Sequence, residues 1–240
     1  MVEDEVTIII KTFERPQMLD RAIKSIRALY PSIHIIVVDD SQVPKVRRDV
    51  EYHELPFDVG VSAGRNYAID KVKTKYFVTM DDDLKFDKKT KLETFLNIIQ
   101  NNDIDLLCGA VTKSLPNECA NLEVKDGVLT VVPLGVPISQ NFRYCDYGVQ
   151  FFIADTEKFK RFGGWDEELK TRGEHVELFL RAKGKLKVAF TPKVIIGHDR
   201  GMEGSAKYKK FRQRNHLPIG MKKHGIKKLI NYDGKEKDFV

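Results

Sequence analysis

The sequence predicts an α/β fold in which a mixed, mainly parallel central sheet is flanked by helices on both faces. Two observations support this prediction. In the first half of the chain, short apolar runs rich in β-branched residues alternate with amphipathic helical segments, the pattern of β-α-β units. Two of these runs end in acidic clusters, Asp39-Asp40 and Asp81-Asp82-Asp83. Ligands of such sheets bind beyond the carboxyl ends of the strands, so both clusters should face one crevice.

The elements are predicted in chain order from these patterns. Buried strands are expected where apolar and β-branched residues run together. Pro16 is expected to open the first helix and Ser62 to cap another. The predicted strands are 6–10, 33–38, 76–80, 106–112, 128–132, 144–153 and 193–198. The predicted helices are 16–30, 62–72, 88–100 and 174–183.

Composition favours one large domain. The chain has 240 residues, of which 42% are hydrophobic and 32% charged, so a substantial core is expected. No apolar run approaches the roughly 20 residues of a membrane helix. The acidic N-terminus differs from a signal peptide, so a cytoplasmic protein is expected. The three cysteines fit neither a disulfide framework nor a zinc pattern, which favours reduced thiols.

The net charge of +6 is concentrated near the C-terminus. Residues 200–240 contain 12 Lys/Arg and 4 Asp/Glu, a net of +8, whereas residues 1–199 are close to neutral. We therefore expect one domain over 1–199 and a basic lid or tail over 200–240. Such a segment suits an anionic partner, namely a nucleotide pyrophosphate, a phospholipid surface or nucleic acid, or else forms a solvated helical face.

The acidic triplet is the first candidate for chemistry. Three adjacent carboxylates repel one another unless a cation or hydrogen-bond donors compensate. On an extended segment, Asp81 and Asp83 point the same way. A divalent ion that also binds two phosphates needs only one or two protein carboxylates. The triplet therefore fits a Mn²⁺ or Mg²⁺ site that serves a nucleotide, with a solvated turn or a helix N-cap as the alternative.

Several motifs, taken in order, resemble the GT-A glycosyltransferases. The motifs are residues 7–16, 36–41, 60–66, 81–83, 163–167 and 173–178. They are most similar to the inverting family-two group and its relatives among ganglioside-type N-acetylgalactosaminyltransferases. The resemblance implies a metal-dependent transfer, with inversion, of a sugar from a nucleotide-sugar, with UDP favoured, to a hydroxyl of a glycan or glycolipid. It also implies a nucleotide-sugar half over 1–112 and an acceptor half over 113–199.

The resemblance implies roles for individual residues. Thr12, Phe13, Arg15, Asp40, Arg65, Asp81 and Asp82 would bind the donor, and Asp83 and His198 the metal. Gly164 and Trp165 lie in an acceptor-side motif, and the indole of Trp165 offers a flat face on which a sugar could stack, with core packing as the alternative. A lone surface or core histidine is the alternative for His198. The basic residues after His198 are expected to fold over the pyrophosphate.

Three residues are candidates for the catalytic base. The resemblance places it at His175, where the family usually carries an aspartate. A histidine beside a carboxylate is a competent base, but Glu174 could equally take the proton. Glu177 lies three residues further along the same helix, and Glu174 and Glu177 would share a face. The alternative is an acidic cluster that complements the helix dipole.

Two other function classes are less consistent with the sequence. A sugar nucleotidyltransferase would carry a glycine-rich loop after the first strand, but residues 11–16 contain no glycine. A degenerate transferase or a polyanion-binding module would have no use for carboxylates at strand ends. We expect a nucleotide-sugar, a glycan or glycolipid and an anionic membrane surface as partners, and no nucleic acid.

Overall fold

The computed structural model describes residues 1–112, 119–135, 140–198 and 206–239. The strands are β1 (Val6–Thr12), β2 (His34–Asp39), β3 (Glu51–Glu54), β4 (Tyr76–Asp81), β5 (Leu84–Lys85), β6 (Leu106–Val111), β7 (Ala120–Lys125), β8 (Val128–Pro133), β9 (Arg143–Tyr144), β10 (Phe152–Asp155), β11 (Val188–His198), β12 (Lys228–Ile230) and β13 (Glu236–Asp238). The helices are α1 (Val2–Glu5), α2 (Pro16–Arg27), α3 (Val61–Lys71), α4 (Leu92–Gln100), α5 (Thr156–Phe162), α6 (Glu174–Ala182), α7 (Ala206–Arg212) and α8 (Leu217–Lys223).

The main sheet is mixed, as the sequence predicted. Its order is β3-β2-β1-β4-β10-β6-β11-β5, and β9 pairs with β11. Strands β3, β2, β1 and β4 are parallel, so their carboxyl ends meet at one edge. Strand β10 runs antiparallel between β4 and β6. This topology brings Asp39 and Asp81 to the same edge, where the sequence predicted a crevice.

Two hydrophobic clusters fill the two faces of this sheet. One contains buried residues of α2 and α4, such as Leu19 and Phe95. The other contains buried residues of α3, α5 and α6, such as Ile69, Phe159 and Phe179. Alternate residues of the central strands point to opposite clusters. The first cluster therefore anchors the sheet, while the second also supports the helices that approach the crevice.

Several element boundaries differ from the predictions. Helix α3 begins at Val61, and its N-cap is Gly60 at φ +103°. Ser62 does not cap the helix; its buried hydroxyl donates to the carbonyl of Leu169 at 2.7 Å. Helix α4 begins at Leu92 rather than at residue 88, and the predicted strand 144–153 is divided between β9 and β10. Leu29, within the predicted helix 16–30, lies beyond the end of α2 at Arg27 and is 40% exposed.

The C-terminal segment differs from the expected lid or tail. Residues 200–205 lie outside the described residues. Strand β12 pairs in parallel with β8, which forms a second sheet in the order β13-β12-β8-β7. Met221, Ile226 and Leu229 are buried in the cluster that supports α3 and α6. The segment after α7 is therefore part of the folded core, because its apolar residues cover the second cluster.

Two expectations from composition concern the cysteines and the membrane. Cys108, Cys119 and Cys145 are buried free thiols. Across the described ranges, none of the helices combines the length and the apolar character that crossing a membrane requires.

Candidate active site

A crevice opens at the carboxyl ends of β1 and β4, between the N-terminal part of α3 and the first turn of α6. Helix α7 and the residues after it form its outer wall. Six cationic side chains line it: Lys11, Arg15, Arg65, Lys170, Arg212 and Arg214. Four carboxylates also line it: Asp58, Asp81, Asp83 and Glu174. The excess of cations makes the crevice suitable for an anionic ligand.

Asp82 points inward and holds the acidic loop in place. Its carboxylate is 1% exposed and accepts a hydrogen bond from the Thr12 hydroxyl at 2.7 Å. The guanidinium of Arg15 binds Asp82 and reaches Asp83 at 2.9 Å. Burial, reinforced by Asp83, raises the pKa of Asp82 to about 6 although Arg15 opposes the shift. Thr12 and Asp82 are buried, whereas Arg15 lines the crevice; donor binding by these three residues stays a prediction.

Asp81 is linked to α6 through Arg65. The Arg65 guanidinium donates to Asp81 at 2.6 Å and lies 3.7 Å from the Glu174 carboxylate. Burial opposes ionisation of Asp81, but Arg65, Arg212 and Arg15 together lower the pKa of this carboxyl. Arg65 is 3% exposed, so its charge acts with little screening by solvent. One buried guanidinium therefore connects a strand-end carboxylate with the first turn of α6.

Asp40 is buried and positions Lys11. Its carboxylate binds the Lys11 ammonium and accepts from the Gly60 amide at 2.9 Å. Burial lowers the pKa of Lys11 although Asp40 opposes the shift. Asp40 is buried and does not line the crevice, and its predicted role in donor binding stays a prediction. Lys11, which the sequence analysis did not select, lines the crevice instead; a lysine at the end of an apolar strand was the signal that could have identified it.

Helix α7 covers the crevice through aromatic and ionic contacts. The Phe211 ring packs edge-on against Phe13, with the ring centres 5.3 Å apart. The Tyr208 ring lies over the guanidinium of Arg15 at 4.4 Å. Beyond the helix, both guanidinium nitrogens of Arg214 bind Asp58 at 2.6 Å. These contacts hold α7 at the outer wall of the crevice, and its role as a lid stays a prediction.

Among the three candidate bases, Glu174 lines the crevice. Glu177 is 2% exposed and binds Arg181 at 2.9 Å and His224 at 3.1 Å. It therefore joins α6 to the segment after α8 and does not face the crevice. This geometry gives Glu177 a structural contact, and its role as a base stays a prediction that is less consistent with the structure than that of Glu174.

The ring of His175 lies behind Glu174, among aromatic residues. Its centre is 4.9 Å from that of Tyr147 and 5.2 Å from that of Phe179, both in edge-to-face geometry. Burial, followed by the charge of Arg65, lowers the pKa of His175 to about 4, and a hydrogen bond to the backbone of Gly148 opposes the shift. The imidazole is therefore neutral and weakly basic at pH 7, which makes it a poorer base than the sequence suggested.

Gly164 and Trp165 hold α3 against the core and do not line the crevice. Trp165 is 2% exposed and stacks on Phe152, so core packing rather than sugar stacking describes its ring. Its backbone amide donates to the Asn66 side chain at 2.9 Å. A side chain at position 164 would meet the same Asn66 oxygen at 2.4 Å, which explains a glycine there. Core packing, the alternative for Trp165, therefore describes its ring in this structure, and acceptor binding by this motif stays a prediction.

The predicted metal ligands lie close together. His198 is exposed at the end of β11 and pairs with Leu84, the residue that follows Asp83. No group of three or more potential metal-ligating side chains occurs within the described ranges. Ions that bind mainly through phosphates need only one or two carboxylates. The oxygen atoms of Asp81 and Asp83, which line one crevice, fit such an ion, whereas Asp199 and Arg200 lie outside the described residues.

The mixed sheet, with a crevice lined by cations and carboxylates at its strand ends, defines a nucleotide-sugar transferase fold of the GT-A type. Residues 7–126, half of the chain, match the model of Glycosyl transferase family 2. The chain belongs to this family.

Individual relatives agree with this assignment. The chain is 37% identical to mouse Beta-1,4 N-acetylgalactosaminyltransferase 2 over 204 residues, which is 82% of the chain and 40% of the relative. It is 33% identical to human Beta-1,4 N-acetylgalactosaminyltransferase 1, over 85% of the chain and 43% of the relative. The chain thus spans about two fifths of the length of these relatives.

A similar solved structure is S. aureus TarS 1-349 in complex with UDP-GlcNAc. The TM-score is 0.61 at 17% identity, and the similarity covers 84% of this chain and 60% of the other. At this identity the similarity establishes the fold, which is the GT-A fold that the sequence predicted.

Proposed function

We propose that this protein is a metal-dependent glycosyltransferase that moves an N-acetylhexosamine from its UDP derivative to a hydroxyl of a glycan or glycolipid, with inversion. One observation carries the proposal. The buried guanidinium of Arg65 reaches both Asp81, at the end of a central strand, and Glu174, on α6. A donor anchored at the strand ends would therefore lie within reach of a carboxylate that can accept a proton.

The charges of the crevice support a nucleoside diphosphate as the donor group. Lys11, Arg15 and Arg212 lie near the strand ends and can compensate the pyrophosphate. Phe13, beside the same strand end, presents an aromatic ring on which a base can stack. The names of the relatives with more than 30% identity support an N-acetylhexosamine as the sugar.

The carboxylates of Asp81 and Asp83 are the residues that would hold Mn²⁺ or Mg²⁺, with His198 beside them. The bound ion would supply Lewis-acid stabilisation of the charge on the departing diphosphate. Asp83 pairs with Arg15 in this structure. Metal binding therefore requires Asp83 to release or share its guanidinium partner.

The proposed step is a single displacement. The acceptor oxygen forms a bond to the anomeric carbon while the bond from that carbon to the diphosphate oxygen breaks. Glu174 removes the acceptor proton, and cationic side chains such as Lys11 and Arg15 stabilise the negative charge that remains on UDP. Attack opposite the leaving group inverts the anomeric configuration. The cover formed by α7 would exclude water, which otherwise hydrolyses the donor.

The acceptor side of the proposal includes contact with an anionic membrane surface. Lys222 and Lys227 are exposed in the C-terminal segment, where few acidic residues offset the basic charge. Clustered lysines near a lipid surface each favour binding by about 1 kcal/mol. This contact would bring the crevice near a glycolipid acceptor.

Calorimetric titration tests the donor and metal assignments together. We expect UDP-N-acetylhexosamines to bind more tightly than GDP- or dTDP-sugars. Without Mn²⁺, their binding should be weak. Asp83→Asn should abolish the gain from Mn²⁺, whereas Asp49→Asn, which changes an exposed carboxylate, should preserve it. Unchanged Mn²⁺-dependent binding in Asp83→Asn would exclude the metal site. The anomeric configuration of the product, read by NMR, tests inversion.

A further inference from the structure

Two of the three buried thiols contact each other. Cys119 directly precedes β7 in the second sheet, and Cys145 directly follows β9 in the main sheet. Cys119 is 1% exposed and Cys145 is 8% exposed. The Cys145 thiol donates a hydrogen bond to the sulfur of Cys119. We call these two residues the thiol pair, and the proposed transfer step uses neither of them.

The backbone holds the thiol pair at the junction of the two sheets. Ala120, the residue after Cys119, forms an isolated antiparallel bridge with Tyr147. The Ala120 amide donates to the Tyr147 carbonyl at 3.1 Å, and the Tyr147 amide donates to the Ala120 carbonyl at 3.0 Å. The Cys145 amide donates to the carbonyl of Val188, in β11, at 3.1 Å. Backbone hydrogen bonds on or beside both cysteines therefore keep the two sulfur atoms together.

The two thiols differ in acidity. The hydrogen bond from Cys145 lowers the pKa of Cys119, and the charge of Arg143 acts in the same direction, against the effect of burial. The same hydrogen bond, together with burial, raises the pKa of Cys145. The thiolate, not the thiol, is the nucleophile in oxidation. Cys119 is therefore the residue that reacts first, and Cys145 is placed to attack the oxidised sulfur.

We propose that Cys119 and Cys145 form a reversible disulfide when hydrogen peroxide oxidises the protein. The Cys119 thiolate attacks one peroxide oxygen, the O–O bond breaks, and Cys119 becomes a sulfenic acid. The Cys145 sulfur then attacks the Cys119 sulfur, so that an S–S bond forms and the S–O bond breaks. The two thiol protons leave with the two peroxide oxygens as water. A small dithiol reverses the reaction by thiol–disulfide exchange.

The disulfide would join the two sheets beside the start of α6. The Tyr147 ring lies 4.9 Å from the ring of His175. His175 also bonds to the backbone of Gly148. A cross-link at Cys145 therefore constrains the segment that packs against α6, next to Glu174. Any effect on sugar transfer rests on the proposed function, whereas the disulfide and its effect on stability do not.

Peptide mapping by mass spectrometry tests the disulfide. The native protein is treated with hydrogen peroxide or kept in dithiothreitol, and is then denatured and alkylated. The reduced wild type should carry three alkylated cysteines, and the oxidised wild type only one, at Cys108. Cys119→Ala and Cys145→Ala should form no internal disulfide. Cys108→Ala changes the third buried thiol, in the same hydrophobic cluster; it is the matched control and should form the disulfide.

Thermal unfolding tests the consequence for stability. Unfolding of the oxidised wild type should occur at least about 5 °C above that of the reduced protein, because the cross-link restricts the unfolded chain between residues 119 and 145. Dithiothreitol should reverse the rise. Cys108→Ala should show the same rise, and Cys119→Ala should show none. The oxidised enzyme should also keep its transfer activity several-fold longer during heating.

Each outcome decides the inference. Three alkylated cysteines in the peroxide-treated wild type overturn it, and so does a disulfide that includes Cys108. A disulfide between Cys119 and Cys145 that leaves the unfolding temperature unchanged overturns its role in joining the sheets. If an alanine variant does not fold, the mapped peptides of the wild type decide alone. A stabilising disulfide in a protein that binds no UDP and transfers no sugar supports the inference and contradicts the proposed function.

Discussion

At the residue scale, neighbouring side chains of α6 have different roles although they share one sequence motif. Glu174 lines the crevice beside Arg65. Glu177 is bound by Arg181 and His224. Helical spacing predicted a shared face for the two glutamates, but it could not show that α8 packs against that face. The sequence therefore predicted the position of the base to within one turn of helix. Tertiary packing leaves Glu174 as the glutamate that faces the crevice.

Replacing Glu174 by glutamine should remove the proton acceptor while keeping the shape of the side chain. We expect kcat to fall by roughly 10²–10⁴-fold, since general base catalysis contributes that much. UDP affinity should change little, because no step in nucleotide binding requires this carboxylate. Glu177→Gln makes the same chemical change on the same helix and should lower stability more than kcat. Rates of transfer and UDP binding should be measured separately for both variants and for His175→Ala.

Near wild-type rates of transfer by Glu174→Gln would show that another residue is the base. A large loss of kcat in Glu177→Gln, without a loss of folded protein, would contradict the structural role of that residue.

The raised pKa of Asp82 predicts that the stability of the fold decreases as pH rises, the opposite of the usual effect of a carboxylate. Its pKa is raised to about 6 in the folded protein, from 3.8. The folded state therefore binds more protons than the unfolded state between about pH 4 and 6, so this residue lowers stability as pH rises through that window. The shift of roughly two pH units corresponds to at most about 3 kcal/mol.

The difference in unfolding free energy between wild type and Asp82→Asn isolates this effect. From pH 4 to pH 7, the wild type should lose up to about 3 kcal/mol of unfolding free energy relative to Asp82→Asn. The comparison is necessary because the pKa of His175, lowered to about 4, makes stability rise with pH over an overlapping window. Urea denaturation at several pH values measures the difference. A difference that does not vary with pH would show that Asp82 is ionised throughout this range.

At the element scale, the strands of the main sheet followed from local sequence, whereas several helix starts did not. Consecutive β-branched residues identify β1 and β2 because few other structures accommodate them. The start of α3 depends on Gly60, which has a positive φ and at which an added Cβ would lie 2.7–2.8 Å from atoms of Lys170. That contact comes from a segment about a hundred residues away. Ser62, a good capping residue by type, is engaged by the same distant segment.

Helix α7 should become resistant to trypsin when UDP and Mn²⁺ occupy the crevice. Its basic residues Lys209, Lys210 and Arg212 are cleavage sites, and a bound diphosphate would compensate the charge of Arg212. Arg214→Gln removes the pair with Asp58 and should accelerate cleavage of the free protein several-fold, because the helix then opens more easily. Arg48→Gln, on an exposed arginine, is the matched control. Equal cleavage with and without nucleotide would show that α7 does not respond to the donor.

At the scale of the whole molecule, the position of the crevice was predictable and its C-terminal wall was not. Parallel pairing places Asp39 and Asp81 at one edge, and the alternation of helices and strands predicts that pairing. In contrast, β12 has three residues, and it pairs with β8 across about a hundred residues of sequence. Neither its length nor its composition indicates that pairing. The basic charge of the segment therefore suggested a tail, although its few apolar residues are buried.

Leu229 tests whether the C-terminal segment belongs to the core. It is 2% exposed in the second cluster, whereas Leu29 is 40% exposed. Leu229→Ala should lower the free energy of unfolding by about 2–5 kcal/mol, the usual cost of a truncated core leucine. Leu29→Ala should cost well under half of that. Urea denaturation followed by circular dichroism measures both. An equally small loss in the two variants would mean that the segment after α7 is a separate tail. A large loss for Leu229 alone would mean that the segment after α7 is part of the folded core.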